Sequence, residues 1–167
     1  FLTVSAVRMW AVSDGTVAYF TAAMLLGQTG GNLLAGFVAD RWGHKLSLEL
    51  GYLGLAISFG LAWLAPSPVW FFVVFAVLGL AAGTRIVSGI LIPLEFARPE
   101  NRPSYVGISN TTMGIGSALA PLVGGLLAWF GYQTLFAVGA VLAVAAFAAM
   151  HWGVAEPRTG LLFNPSK

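Results

Sequence analysis

Five stretches of this chain are each long and apolar enough to cross a bilayer, which removes most of the folds open to 167 residues. A helix needs roughly 20 apolar residues to span about 30 Å of hydrocarbon. The stretches are 16–39, 46–65, 69–94, 105–130 and 133–152. The expected fold is therefore all-α and integral to a membrane. Composition agrees, since 58% of residues are hydrophobic and only 8% charged, against about a quarter charged in a soluble domain. The net charge of +2 is small and scattered, which gives no footing for nucleic acid.

Each break between stretches has a chemical cause. Residues 40–44 are charged, Pro66-Ser67-Pro68 cannot continue a helix, residues 95–103 combine charge with proline, and Gly131 allows a hairpin after Phe130. Glu156-Pro157-Arg158 ends the last stretch, and residues 153–167 are expected to form a cytoplasmic tail, disordered from Thr159 to Lys167. Arg41, Lys45, Arg98, Arg102, Arg158 and Lys167 fall on one side, while the turns at 66–68 and 131–133 carry no cation. By the positive-inside rule the cationic side is cytoplasmic, with the first residue outside and the last inside, in a plasma (inner) membrane. Residues 1–15 are expected to be the stub of a preceding helix and an exterior loop. An odd number of spans beginning outside suits a piece of a longer protein.

The most specific stretch is Gly36-Phe37-Val38-Ala39-Asp40-Arg41-Trp42-Gly43-His44-Lys45. Gly36 admits a close neighbour, Gly43 reaches backbone conformations closed to other residues, and Arg41 and Lys45 anchor a tight interfacial turn. Gly36, Asp40, Arg41, Gly43 and Lys45 match the signature loop of the major facilitator superfamily of secondary transporters, which this pattern resembles. His44 stands where the family has the first of two closing basic residues. The resemblance extends through Ala120-Pro121-Leu122-Val123-Gly124-Gly125, Trp129-Phe130-Gly131-Tyr132 and Phe136. It implies five helices of a six-helix half-bundle, with the second half favoured. A first-half reading stays open, because Arg85-Ile86-Val87-Ser88-Gly89 partly matches that half's Arg-x-x-Gln-Gly motif.

The resemblance also implies transport of a small solute by alternating access, between this half and a missing one, inside a lipid bilayer. It implies that Asp40 meets the start of a helix in the opposite half and latches one side closed. The rival reading is a receptor or scaffold that keeps the fold without transporting. Nothing in the sequence supports an enzyme: there is no Ser-His-Asp set, no phosphate loop and no pair of intramembrane carboxylates. Nor is a cofactor or metal implied, since the chain has no cysteine and His44 and His151 lack a second ligand at helical spacing.

Candidate cavity-lining residues follow from polarity inside apolar helices. Ala23, Gly27, Gly31, Ala35 and Ala39 repeat every four residues and form a flat packing stripe, with Gln28 and Asn32 on the stripe beside it. Thr112, Gly116, Ala120, Gly124 and Ala128 repeat the design in the fourth span, where Asn110, Met113 and Ser117 fall on another face. Pro121 leaves the carbonyl of Ser117 without its helical donor and favours a bend. Arg85 is the basic residue set deepest in a span, at a depth where charge is tolerated only beside water, a counter-charge or a ligand. Spans one, three and four are expected to line the cavity. Spans two and five, apolar apart from their ends, are expected to face lipid.

Overall fold

A computed structural model describes residues 1–155 as six α-helices and one 3-10 turn. The helices are α1 (Leu2–Trp10), α2 (Asp14–Trp42), α3 (His44–Leu64), α4 (Trp70–Phe96), α5 (Arg102–Trp129) and α6 (Tyr132–Gly153), with the 3-10 turn at Pro99–Asn101. The protein is an all-α half-bundle, and five of its helices, α2 to α6, are long and apolar enough to cross a membrane. The last helix ends at Gly153; residues 156–167, which hold Glu156-Pro157-Arg158 and most of the expected tail, lie outside the described residues.

Local chemistry sets the ends. The Ser13 hydroxyl caps α2 by accepting from the Thr16 N–H at 3.3 Å, satisfying one of the orphan donors of a helix start. At the far end α2 runs through Asp40, Arg41 and Trp42, and Gly43 alone separates it from α3. Gly43 has φ 95°, a value that side chains with a Cβ rarely adopt. The same device closes α5 against α6, where Gly131 has φ 118°.

α4 is the spine. It is crossed by α2 at a set of glycines: a Cβ on Gly27 or Gly31 would run into the backbone carbonyls of Ala76 and Leu80, and one on Gly79 or Gly83 into those of Met24 and Gln28. Two backbones in van der Waals contact give close packing in lipid, where apolar area alone supplies little drive for helices to associate. The stripe expected on α2 is thus a packing face, and Gly31, Ala35 and Ala39 are buried in it. On its other side α4 receives α3, with Gly51 against Thr84 and Gly54 against Ala81. The buried Ser58 hydroxyl donates to the Val74 carbonyl at 3.0 Å.

The position of α3 differs from the expectation that span two faces lipid. Ser47, Glu49, Gly51, Gly54, Ser58 and Ala62 are buried, because α3 lies between α4 and α6. Hydropathy averages over a helix, whereas packing depends on which small residues share one side. α5 is the opposite case: none of its residues is buried among the described ones, and it runs unbroken through Pro121.

One end of the bundle is closed by aromatic rings. Phe20, Phe71, Phe75 and Phe136 are buried together with Leu2 and Ala6 of α1. Phe20 stacks on Phe75 at 5.3 Å between centroids, and Trp10 meets Phe71 edge-on at 5.1 Å. Such pairs add to the burial of large apolar area. This cluster joins α1, α2, α4 and α6 at the end where the 66–68 and Gly131 turns lie.

Candidate functional site

α4 and α5 follow one another through the turn at Pro99–Asn101, with a small cleft between them and a separate, larger cavity beside both. Near the Pro99–Asn101 connection, a notch of about 170 Å³ is lined by Gly89, Ile90 and Pro93 of α4 and by Val106, Ser109, Asn110 and Met113 of α5. Pro93 has no N–H, so the Gly89 carbonyl loses its helical donor at the position that lines the notch. The Ser109 hydroxyl and the Asn110 amide make no hydrogen bond with any described residue. The notch therefore combines a freed carbonyl, a hydroxyl and a carboxamide in otherwise apolar walls.

Toward the other end a cavity of about 460 Å³ opens between α3, α4, α5 and α6, with Phe1 and Leu2 at its edge. Arg85 and Tyr52 line it, and the Arg85 guanidinium carbon stands 5.7 Å from the centre of the Tyr52 ring. A cation over an aromatic face gains modestly from the ring quadrupole. Arg85 makes no ion pair with a described residue. It sits one helical repeat before Gly89 and two before Pro93, so notch and cavity meet the same side of α4.

The structure brings together some of the candidate residues and separates others. Asn110 and Met113 share the notch, while Arg85 belongs to the larger cavity. Ser117 is exposed on α5 and lines neither space. Gln28 is half-buried and Asn32 exposed on α2, and their backbone atoms lie where Gly83 crosses. These two flank the α2–α4 packing face and do not line the notch.

A second polar group lies at the signature-like turn. His44 is buried, and its Nδ1 stands 3.2 Å from the buried Ser88 hydroxyl of α4. Lys45 Nζ donates to the His151 carbonyl at the end of α6, at 3.0 Å, and lies 3.6 Å from Glu49 Oε1. His151 Nδ1 is 3.3 Å from the same carboxylate oxygen, and Glu49 is buried. The turn is thereby tied to α4 through His44 and to α6 through Lys45 and Glu49. Arg41 lies 5.1 Å above the exposed Trp42 ring, and Asp40 is exposed in the last turn of α2. Sequence spacing shows the Lys45–Glu49 pair, but His151 is 102 residues from Glu49 and nothing local links them. No group of three or more metal-ligating side chains occurs among the described residues.

The sequence profile described as Major Facilitator Superfamily matches residues 3–167. The chain belongs to that family. Among the major facilitator relatives it resembles is the 3-(3-hydroxy-phenyl)propionate transporter of Escherichia coli, 34% identical over 81% of this chain and 34% of the relative. Puromycin resistance protein pur8 of Streptomyces alboniger is 29% identical over 92% of this chain and 29% of its own length. Multidrug resistance protein MdtG of Citrobacter koseri is 31% identical over 86% of this chain and 34% of its own length. The chain thus spans about a third of these curated relatives. With five helices long and apolar enough to cross a membrane, it is a membrane-embedded member of the family.

Proposed function

We infer that this half-bundle moves a small solute by alternating access, rocking against a second half, with the α4–α5 cleft forming its share of the solute path. The observation that carries the reading is the notch itself, where Ser109, Asn110 and Met113 meet the freed Gly89 carbonyl between two otherwise apolar helices. Polar groups at membrane depth are tolerated where they face water or protein, and transporter sites form where helices are interrupted near the interface of the repeats. Gln28, Asn32 and Ser117 flank that path, and Pro121 supplies a point where α5 can flex. The cationic turn, residues 41–45, and the connection at 98–102 lie on the cytoplasmic side, so the first residue is outside and the last inside a plasma membrane. Asp40 latches the cytoplasmic side through a helix start in the other half.

The test is transport in proteoliposomes by the full-length protein. Asn110→Ala is expected to raise KM for the transported solute about tenfold, the loss that goes with one well-made hydrogen bond, with normal insertion. Unchanged KM and kcat for Asn110→Ala and for Ser109→Ala would remove the cleft from the path. Asp40→Asn is expected to shift the balance of inward- and outward-open states, read as altered labelling of cysteines on both faces. Unaltered labelling with full activity would remove the latch.

A further inference from the structure

The buried carboxylate of Glu49 is shared by two helices at the end of the bundle that carries the Gly43 turn. Lys45, one turn before it on α3, stands 3.6 Å from Oε1, and His151, in the last turn of α6, places Nδ1 3.3 Å from the same oxygen. An ionised carboxylate only accepts, so Nδ1 carries the hydrogen of that contact and Nε2 is left to take a second proton. His151 is exposed while Glu49 is buried, so a proton from solvent can reach the ring. Three features would meet the resulting imidazolium. One is the carboxylate itself. Another is the Phe147 ring, nearly parallel to the imidazole at 10° and 5.8 Å, whose face attracts a cation. The third is the end of α6, where unpaired carbonyls favour positive charge. Lys45 opposes them, because its ammonium is held to the His151 carbonyl at 3.0 Å. Around this group α4 brings Arg85 against Gly51 and Tyr52 on the next turn of α3 and carries Glu95 near its end. α2 ends with Asp40 and Arg41, and α5 opens with Arg102 and Tyr105. The other imidazole, His44, bonds the neutral Ser88 hydroxyl.

We propose that Glu49 and His151 form a proton-operated clasp, which takes up a proton at His151 Nε2 as the medium acidifies and draws the ends of α3 and α6 more tightly together. The step moves one proton from solvent onto Nε2 and changes no other bond; the Nδ1–H···Oε1 contact becomes charge-assisted, a class roughly twice as strong as its neutral counterpart. The folded protein binds that proton with the carboxylate in place, and the unfolded chain binds it without. Stability conferred by the clasp therefore rises as the pH falls from about 8 to about 5, the range over which histidine charges, and is lost as the pH rises again. The clasp is built from contacts within this chain and does not depend on the transport reading.

The experiment is a double-mutant cycle on the equilibrium unfolding of the purified full-length protein in mixed micelles, run at about pH 5 and about pH 8. The variants are His151→Gln, which keeps an N–H donor without the titration, Glu49→Gln, which keeps an acceptor without the charge, and the two combined. A cycle isolates the coupling of these two side chains from every other titrating group. As a ratio of folding constants, that coupling is expected to be about fivefold larger at the lower pH, the step from a neutral to a charge-assisted hydrogen bond. Repeating the cycle in a His44→Gln background should leave the difference unchanged. Coupling that is equal at the two pH values, or larger at the higher one, overturns the proposal, as does a difference that vanishes with His44→Gln. Should Glu49→Gln fail to fold, the wild type and His151→Gln decide alone. Loss of the low-pH gain in His151→Gln supports the clasp, and its retention overturns it.

Discussion

α4 and α5 are neighbours of nearly equal length, 27 and 28 residues, both rich in small residues, and they are used in opposite ways. Gly79 and Gly83 of α4 are filled by the backbone of α2. Gly114 and Gly116 of α5 have nothing within van der Waals reach among the described residues. A small residue is thus a packing device only where another backbone arrives. On α4 it holds this half together; on α5 Gly124 lies against the Phe1 ring, while Gly114 and Gly116 meet no described residue.

The sharpest way to break this contrast is to place the same large side chain on both helices. Gly83→Leu must push α2 off α4, and even modest overpacking costs about 1–3 kcal/mol, so a four-carbon side chain against backbone is expected to abolish the folded protein in membranes. Gly116→Leu meets no described neighbour and is expected to cost clearly less folded protein than Gly83→Leu, leucine being the better helix former by up to ~1 kcal/mol. Its expected effect is on transport. Equal loss of folded protein from both variants would show that α5 is packed as tightly as α4.

A smaller effect is expected at the charged tie between α3 and α6. Glu49→Ala leaves Lys45 and His151 without their shared carboxylate, and loss of one partner of a largely buried charge-assisted bond costs about 1.5–3 kcal/mol. The melting temperature should fall by several degrees. Glu49→Gln, which keeps an acceptor for both neighbours, should recover part of that loss. A wild-type melting temperature for Glu49→Ala would make the tie incidental.

The smallest effect is at His44. Interhelical hydrogen bonds inside membranes average about 0.6 kcal/mol, so His44→Ala should lower stability by about that, plus a packing loss of similar size. If His44→Ala instead costs as much as Gly83→Leu, the turn rather than the glycine crossing holds α3 to α4.

How much of this could be read from the sequence depends on the range of the interaction. Spans are legible because hydropathy is summed over twenty neighbouring residues, and the packing face of α2 is legible because Gly27, Gly31, Ala35 and Ala39 recur every four. Gly79 and Gly83 carry the same spacing and are an equally readable signal. The burial of α3 is not legible from hydropathy, since Gly51, Gly54, Ser47 and Ser58 barely change the average of an apolar helix. Nor is the tie from Glu49 to His151, because its geometry depends on α6 returning beside α3. Of the site, Asn110, Met113 and Arg85 stand out as polar or polarizable groups within apolar runs. Gly89 becomes relevant only when Pro93, four residues later, is seen to free its carbonyl beside them.

The central claim, that the α4–α5 cleft faces a solute path, is tested most directly by aqueous access in the full-length protein. Single cysteines at Asn110, Met113 and Ser117 are to be compared with cysteines at Val141 and Val144, which are exposed on α6, using a charged methanethiosulfonate reagent with and without transported solute. The three α5 positions are predicted to react and to be protected by solute, while the two on α6 remain unreactive in lipid. Failure of all three α5 cysteines to react, or equal reaction at all five positions regardless of solute, would contradict the account.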